Sequence, residues 1–356
     1  MGRIDELIGY AREHQCSDIH LTYGMEPIVR CNGKLVNLQG YGIMDDAALE
    51  ALIREILQAE PENMGRKENP LADTDVCYET PDGTRNRINI YRQQKHSAVA
   101  IRLLNSHIPS LDELGMPPIF KELMGVRQGL ILVTGPTGSG KSTTLAACIN
   151  ELNRTQRKHI ITVEDPVEYK HQNRNSVINQ REIGVDTDSF AEALRSALRE
   201  DPDVILVGEM RDLETISAAV TAAETGHLVF STLHTIGAAA TVERIVDVFP
   251  PHQQQQIRAQ LATVLKAVIS QQLVPLADNS GRVAAQEILL ISDAAANMIR
   301  EDKCYQMATL MQTGAKSGMQ SMDAHLLSLV QLNRIRPETA VEYSIDKTAM
   351  RQRLSL

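Results

Sequence analysis

The sequence predicts an α/β chain in two parts: a small α+β domain over residues 1–103, then a linker at 104–117, then a domain over 118–356 built on a parallel sheet with a helical C-terminal region. Three observations carry this reading. From Gly129 onward, "LILVTG", "HIITVED", "DVILVGE" and "HLVFSTLH" alternate with helical segments; continuous apolar strands separated by helices imply a parallel sheet covered on both faces. The first hundred residues instead show shorter strand-like runs broken by turn signals. A length of 356 residues at 43% hydrophobic content fits two cores better than one.

In chain order, Ile4, Leu7, Ile8 and Ala11 recur at helical spacing, and "CSDIHLTYG" then takes on strand character. "PIVRCNGKLVNL" carries Asn32-Gly33 between two alternating arms, a hairpin signal. "MDDAALEALIREILQAE" puts Leu49, Leu52, Ile53, Ile56 and Leu57 on one helix face with Asp45 near its start. The stretch 73–104 reads as strands interrupted by a Pro81-Asp82-Gly83 turn. The linker is rich in proline and contains a capping-box pattern, Ser110-x-x-Glu113. In the second domain "KSTTLAACINELN", "SFAEALRSALRE" and "DLETISAAVTAAE" are the intervening helices, and the chain after about 273 reads as mainly helical.

A net charge of −9, 3% aromatic residues and no Trp argue against a broad nucleic-acid footprint, which rests on surplus Lys and Arg and on stacking platforms. No apolar run suggests a membrane span, and the N-terminus lacks a basic segment followed by an apolar one, so a cytoplasmic chain is expected. Cys16, Cys31, Cys77, Cys148 and Cys304 are scattered without a C-x-x-C pair, which fits reduced thiols without a metal or redox role.

Gly135, Gly140, Lys141 and Ser142 fit G-x-x-x-x-G-K-[ST] between a predicted strand and a predicted helix. The segment Gly135, Pro136, Thr137, Gly138, Ser139, Gly140, Lys141, Ser142 and Thr143 is the expected ATP cradle. Its backbone N–H groups face phosphate oxygens at the positive end of a helix, Lys141 reaches the β/γ-phosphates and Ser142 holds Mg²⁺. Glu164 and Glu209 each end an apolar strand, where parallel sheets open onto their ligand. One carboxylate there can orient or deprotonate an attacking water and another can bind the Mg²⁺ water shell; the plainer alternative is a polar strand end or helix cap. His234, at a strand end beside Thr232 and Thr235, is placed to donate to a γ-phosphate, whereas His227 reads as a structural donor. Charge on the transferred phosphoryl group calls for a guanidinium, and Arg87 and Arg102 on the N-terminal sheet are the first choices among Arg85, Arg195, Arg199 and Arg211.

These motifs, "GPTGSGKST", "ITVEDPVEY", "LREDPDVILVGEMRD" and "AAETGHLVFSTLHT", stand in one order, with "SDIHL" before and "GRVAAQEIL" after them. Together they make the chain similar to PilT-type type IV pilus retraction ATPases of the secretion ATPase superfamily, over nearly its whole length. The resemblance implies a PAS-like N-terminal domain and a RecA-like motor domain. It also implies a homo-hexameric ring with nucleotide between the domains, and peripheral attachment at the cytoplasmic face of the inner membrane. It assigns Glu164 as general base and Glu209 to the Walker B role with Mg²⁺. The implied partners are an inner-membrane platform protein and, indirectly, pilins.

Assembly and secretion ATPases of this superfamily carry a tetracysteine zinc site, and the motor region here has only Cys148 and Cys304, so no zinc is expected. The retraction signature AIRNLIRE corresponds to "AAANMIRE" at 294–301, with Ala295, Ala296 and Met298 departing from it. An assembly or secretion motor of the same fold, and an ATP-sensing regulatory subunit without turnover, stay open as alternatives.

Overall fold

The computed structural model describes residues 2–31, 33–59, 73–104 and 107–356. Asn32 of the expected hairpin turn, and Asn105 and Ser106 of the expected linker, lie outside the described residues. The chain divides into two compact units, Met1–His107 and Ile108–Leu356.

In the first unit, α1 (Arg3–Glu13) is followed by β1 (Cys16–Leu21), β2 (Ile28–Cys31), β3 (Lys34–Asn37), α2 (Asp46–Ala59), β4 (Thr74–Glu79), β5 (Arg85–Gln93) and β6 (His96–Leu103). The strands form one antiparallel sheet in the order β3-β2-β1-β6-β5-β4. The helical spacing of Ile4, Leu7, Ile8 and Ala11 places all four in the core with Leu49, Leu52 and Ile56 of α2 and the inward residues of the sheet. Asp45 caps α2 by accepting the Ala48 N–H at 2.8 Å. One expectation is corrected here: Cys16 and Cys31 are not free thiols but form a disulfide, because the antiparallel register of β1 and β2 sets them directly opposite one another. Cys148 and Cys304 are free thiols, both buried.

The second unit begins with the Ser110/Glu113 capping box, whose two hydrogen bonds form at 2.7 and 3.2 Å but close a turn rather than a long helix. Then come α3 (Ile119–Leu123), β7 (Gly129–Thr134), α4 (Lys141–Thr155), β8 (His159–Glu164), β9 (Val177–Glu182), α5 (Phe190–Ala197), β10 (Val204–Val207), α6 (Leu213–Glu224), β11 (Leu228–Leu233), α7 (Ala238–Asp247) and α8 (Pro251–Val264). The remainder is β12 (Leu265–Pro275), β13 (Arg282–Leu290), α9 (Asp293–Arg300), α10 (Met307–Thr313), α11 (Met322–Gln331), α12 (Pro337–Tyr343) and α13 (Lys347–Leu354). The sheet runs β13-β12-β7-β11-β10-β8-β9 and is parallel except for the β12–β13 pair.

Alternation along the strands sorts their apolar residues onto two faces. Leu130, Leu132, Ile161, Val163, Ile205 and Val207 pack with α5 to α9, while Ile131, Val133, Ile160, Val204 and Leu206 pack with α3 and α4. The mainly helical reading of the C-terminal region omits β13: an antiparallel hairpin extends the sheet before α9 to α13 begin, and α11 to α13 gather a smaller core on Val274 and Ala285. The signature segment is α9, whose Ala295 and Ala296 are buried in the core together with Ile299. Among the described residues no helix is long and apolar enough to cross a membrane.

Candidate nucleotide site

The loop between β7 and α4 has the shape of a phosphate cradle because glycine stands where a side chain cannot. A Cβ on Gly135 would lie 2.2 Å from the Gln271 backbone oxygen, and Gly140 enters α4 at φ 87°. The N–H groups that open α4 have no intrahelical partner, and together with the helix dipole they suit a polyphosphate. Pro136, Thr137 and Gly138 form the exposed tip of the loop, and Ser139 is buried beneath it. Lys141 is also buried and donates to the Gly135 and Pro136 carbonyls at 2.9 and 3.0 Å. Burial lowers its pKa, with Glu209 and Glu168 pulling the other way.

The carboxyl ends of β8, β10 and β11 converge on this loop. Ser142, Glu164, Thr162, Gly208 and Thr232 line one pocket with Tyr169 and His171. Glu164 accepts from the Thr162 hydroxyl at 2.7 Å and from the Gln180 amide at 3.2 Å. His234 stands between two charged groups, with Nδ1 3.5 Å from the Lys141 ammonium and Nε2 3.4 Å from Glu209. A neutral imidazole protonated at Nε2 serves both contacts, since Nδ1 then accepts from Lys141. Glu209 is also bonded to Arg211 at 2.7 Å, so that arginine is an ion-pair partner. His227 bonds through Nδ1 to the Ala222 carbonyl at 2.9 Å, a local structural contact. In the first unit Arg87 and Arg102 lie opposite one another on β5 and β6, facing Asp75 at 3.9 Å and Asp18 at 3.5 Å respectively.

The donor set fits the expected ligands. A nest of N–H groups with one lysine suits phosphates, and the Ser142 hydroxyl with the Glu209 carboxylate are hard oxygen donors of the kind Mg²⁺ takes alongside phosphate and water.

Two supporting residues escape sequence reasoning. Gln271 of β12, 1% exposed, donates to the Ser139 carbonyl at 2.7 Å and accepts from the Thr144 hydroxyl at 3.0 Å, pinning both sides of the loop. Its signal was a polar Gln-Gln pair inside an otherwise apolar run, "LKAVISQQLVP". Gln180, in "VINQRE", gave no comparable signal.

The type IV pilus retraction ATPase PilT of Pseudomonas aeruginosa is 46% identical over 342 residues, covering 95% of this chain and 97% of that protein. A twitching motility protein of Neisseria gonorrhoeae is 55% identical over 268 residues, 75% of this chain and 72% of that one. A crystal structure of the pilus retraction motor PilT with bound ADP shares 44% identity and superposes with a TM-score of 0.89, covering 99% of this chain and 100% of that one. The family model for type II/IV secretion system proteins matches residues 4–353, nearly end to end, and with the P-loop and both strand-end glutamates in one fold the chain belongs to that family.

Proposed function

We propose that this chain is an Mg-ATP-hydrolysing motor that drives type IV pilus retraction. The observation that carries the reading is the near full-length likeness to a pilus retraction ATPase, in a fold whose P-loop serine and Glu164 line one pocket. Gly135 to Thr143 hold the triphosphate, with Lys141 exchanging its loop carbonyls for phosphate oxygens. Ser142 and Glu209 would hold Mg²⁺, which would supply charge neutralisation at the phosphates. Glu164 takes the proton of a water whose oxygen forms the new bond to the γ-phosphorus, as the bond from that phosphorus to the bridging oxygen breaks and its electron pair leaves on that oxygen with ADP. His234, already between Lys141 and Glu209, exchanges a contact when the γ-phosphate departs. Arg87 and Arg102 supply the guanidinium charge for the transferred group.

The same reading has residues 1–103 and 118–356 as functional domains joined by 104–117, and the chain as a homo-hexamer at the cytoplasmic face of the inner membrane. There it acts on a platform protein and so on pilins. Deleting the gene in its source organism tests this. Expected are excess surface pili and lost twitching, restored by the wild-type chain and not by Glu164→Gln; bald cells would overturn the retraction reading in favour of assembly.

A further inference from the structure

Strands β8 and β9 run parallel with Thr162 opposite Gln180 and Glu164 opposite Glu182. Two-residue alternation therefore puts Thr162, Glu164 and Gln180 on one face of the sheet, the face that also carries α4. The Gln180 amide has no freedom to flip. The His171 N–H can only donate, so it fixes the amide oxygen at 2.7 Å and turns the NH₂ toward the Glu164 carboxylate at 3.2 Å and the Tyr169 carbonyl at 2.8 Å. Tyr169 in turn meets the Thr143 hydroxyl at 2.9 Å, on the first turn of α4. Glu182, the next carboxylate on this face, is buried and accepts the Val167 N–H at 3.1 Å.

We propose that Gln180 is a positioning residue for Glu164: its amide fixes the rotation of the carboxylate and, through Tyr169 and Thr143, ties it to the helix that binds phosphate. The inference rests on Glu164 being the general base. A half-buried glutamate has three rotatable bonds, and two donors on one oxygen, from Thr162 and Gln180, hold it where a water near the P-loop can be met. Misplacement of such a group by about 1 Å costs on the order of a hundredfold in rate.

The test uses the purified full chain and steady-state and single-turnover ATP hydrolysis. Gln180→Glu keeps the oxygen that accepts from His171 while removing the donor, and Gln180→Met removes the donor without adding charge. Both are expected to lower kcat by roughly ten- to a hundredfold while KM for ATP stays within about threefold. In a Glu164→Gln background the same substitutions should cost no further rate, because a residue acting through Glu164 has nothing left to position. Unchanged kcat in both variants, or an equal loss in both backgrounds, would overturn the proposal while leaving Glu164 as the base. Wild-type turnover by Glu164→Gln alone would overturn the site reading itself, and the proposal with it.

Discussion

Replacing Gln271 by leucine tests whether the phosphate cradle is held from outside its own loop. Leucine matches the buried volume but removes the amide that donates to the Ser139 carbonyl at 2.7 Å and accepts from the Thr144 hydroxyl at 3.0 Å. Each hydrogen bond is worth about 1 kcal/mol net, and an orphaned buried carbonyl adds about 1 kcal/mol more, so the loss is roughly 3 kcal/mol. For a unit of this size, 1 kcal/mol moves the melting midpoint by about 2–4 °C, so the larger unit should melt roughly 6–12 °C lower. The loop is pinned on both sides by this one residue, so fluorescent ADP should also bind about tenfold more weakly. Calorimetry and an ADP titration read both effects. If midpoint and affinity equal those of the wild type, Gly135 and Gly140 alone set the loop and the strut from β12 is incidental.

Two further predictions concern pH and charge. His171 is held neutral by burial, its pKa pushed down to about 4 from 6.5. Between those values the unfolded chain takes up a proton that the folded one refuses, so stability falls as pH drops through this window; at about 1.36 kcal/mol per unit the loss is capped at roughly 3 kcal/mol. His171→Gln should remove that part of the slope in urea unfolding between pH 7 and 5, and an identical slope in both proteins would contradict the assignment. Arg87→Ala and Arg102→Ala, at side chains 44% and 65% exposed, should leave melting within about 2 °C of the wild type and cut ATP turnover at least about a hundredfold; near wild-type rates from both would remove them from the site.

Local patterns were legible. The i, i+3, i+4 spacing of Ile4, Leu7, Ile8 and Ala11 gave α1, and the glycines around Lys141 gave the cradle, because each signal lies within a few residues of what it determines. Features that depend on distant partners were not legible. Nothing breaks the chain between Val264 and Leu265, where α8 passes directly into β12, so one apolar run hides a change from helix to strand. Cys16 and Cys31 meet through the β1–β2 register, which the hairpin signal of the Asn32-Gly33 dipeptide says nothing about. Gln180, Gln271 and Thr162 are ordinary polar residues until strand pairing sets them beside Glu164 or the loop. The departures at Ala295 and Ala296 take meaning from burial: both face the core in α9, where small residues permit close packing.

The order of strands in the larger sheet bears on how the protein is made. β7, the strand that presents the cradle, pairs on one side with β11 and on the other with β12, both synthesised long after it. β8, β9 and β10 can join one another first, because β8 pairs with both of the others. A nascent chain halted after Val207 can therefore hold β8, β9 and β10 assembled while six buried residues of β7 still lack neighbours on either side. Long-range pairing of this kind is slow and leaves apolar surface open to wrong partners. β7 gains its second partner only with β12, so nucleotide binding by ribosome-bound intermediates should begin only once β11 and β12 have emerged, which makes it a marker for the pairing of the cradle strand on both sides.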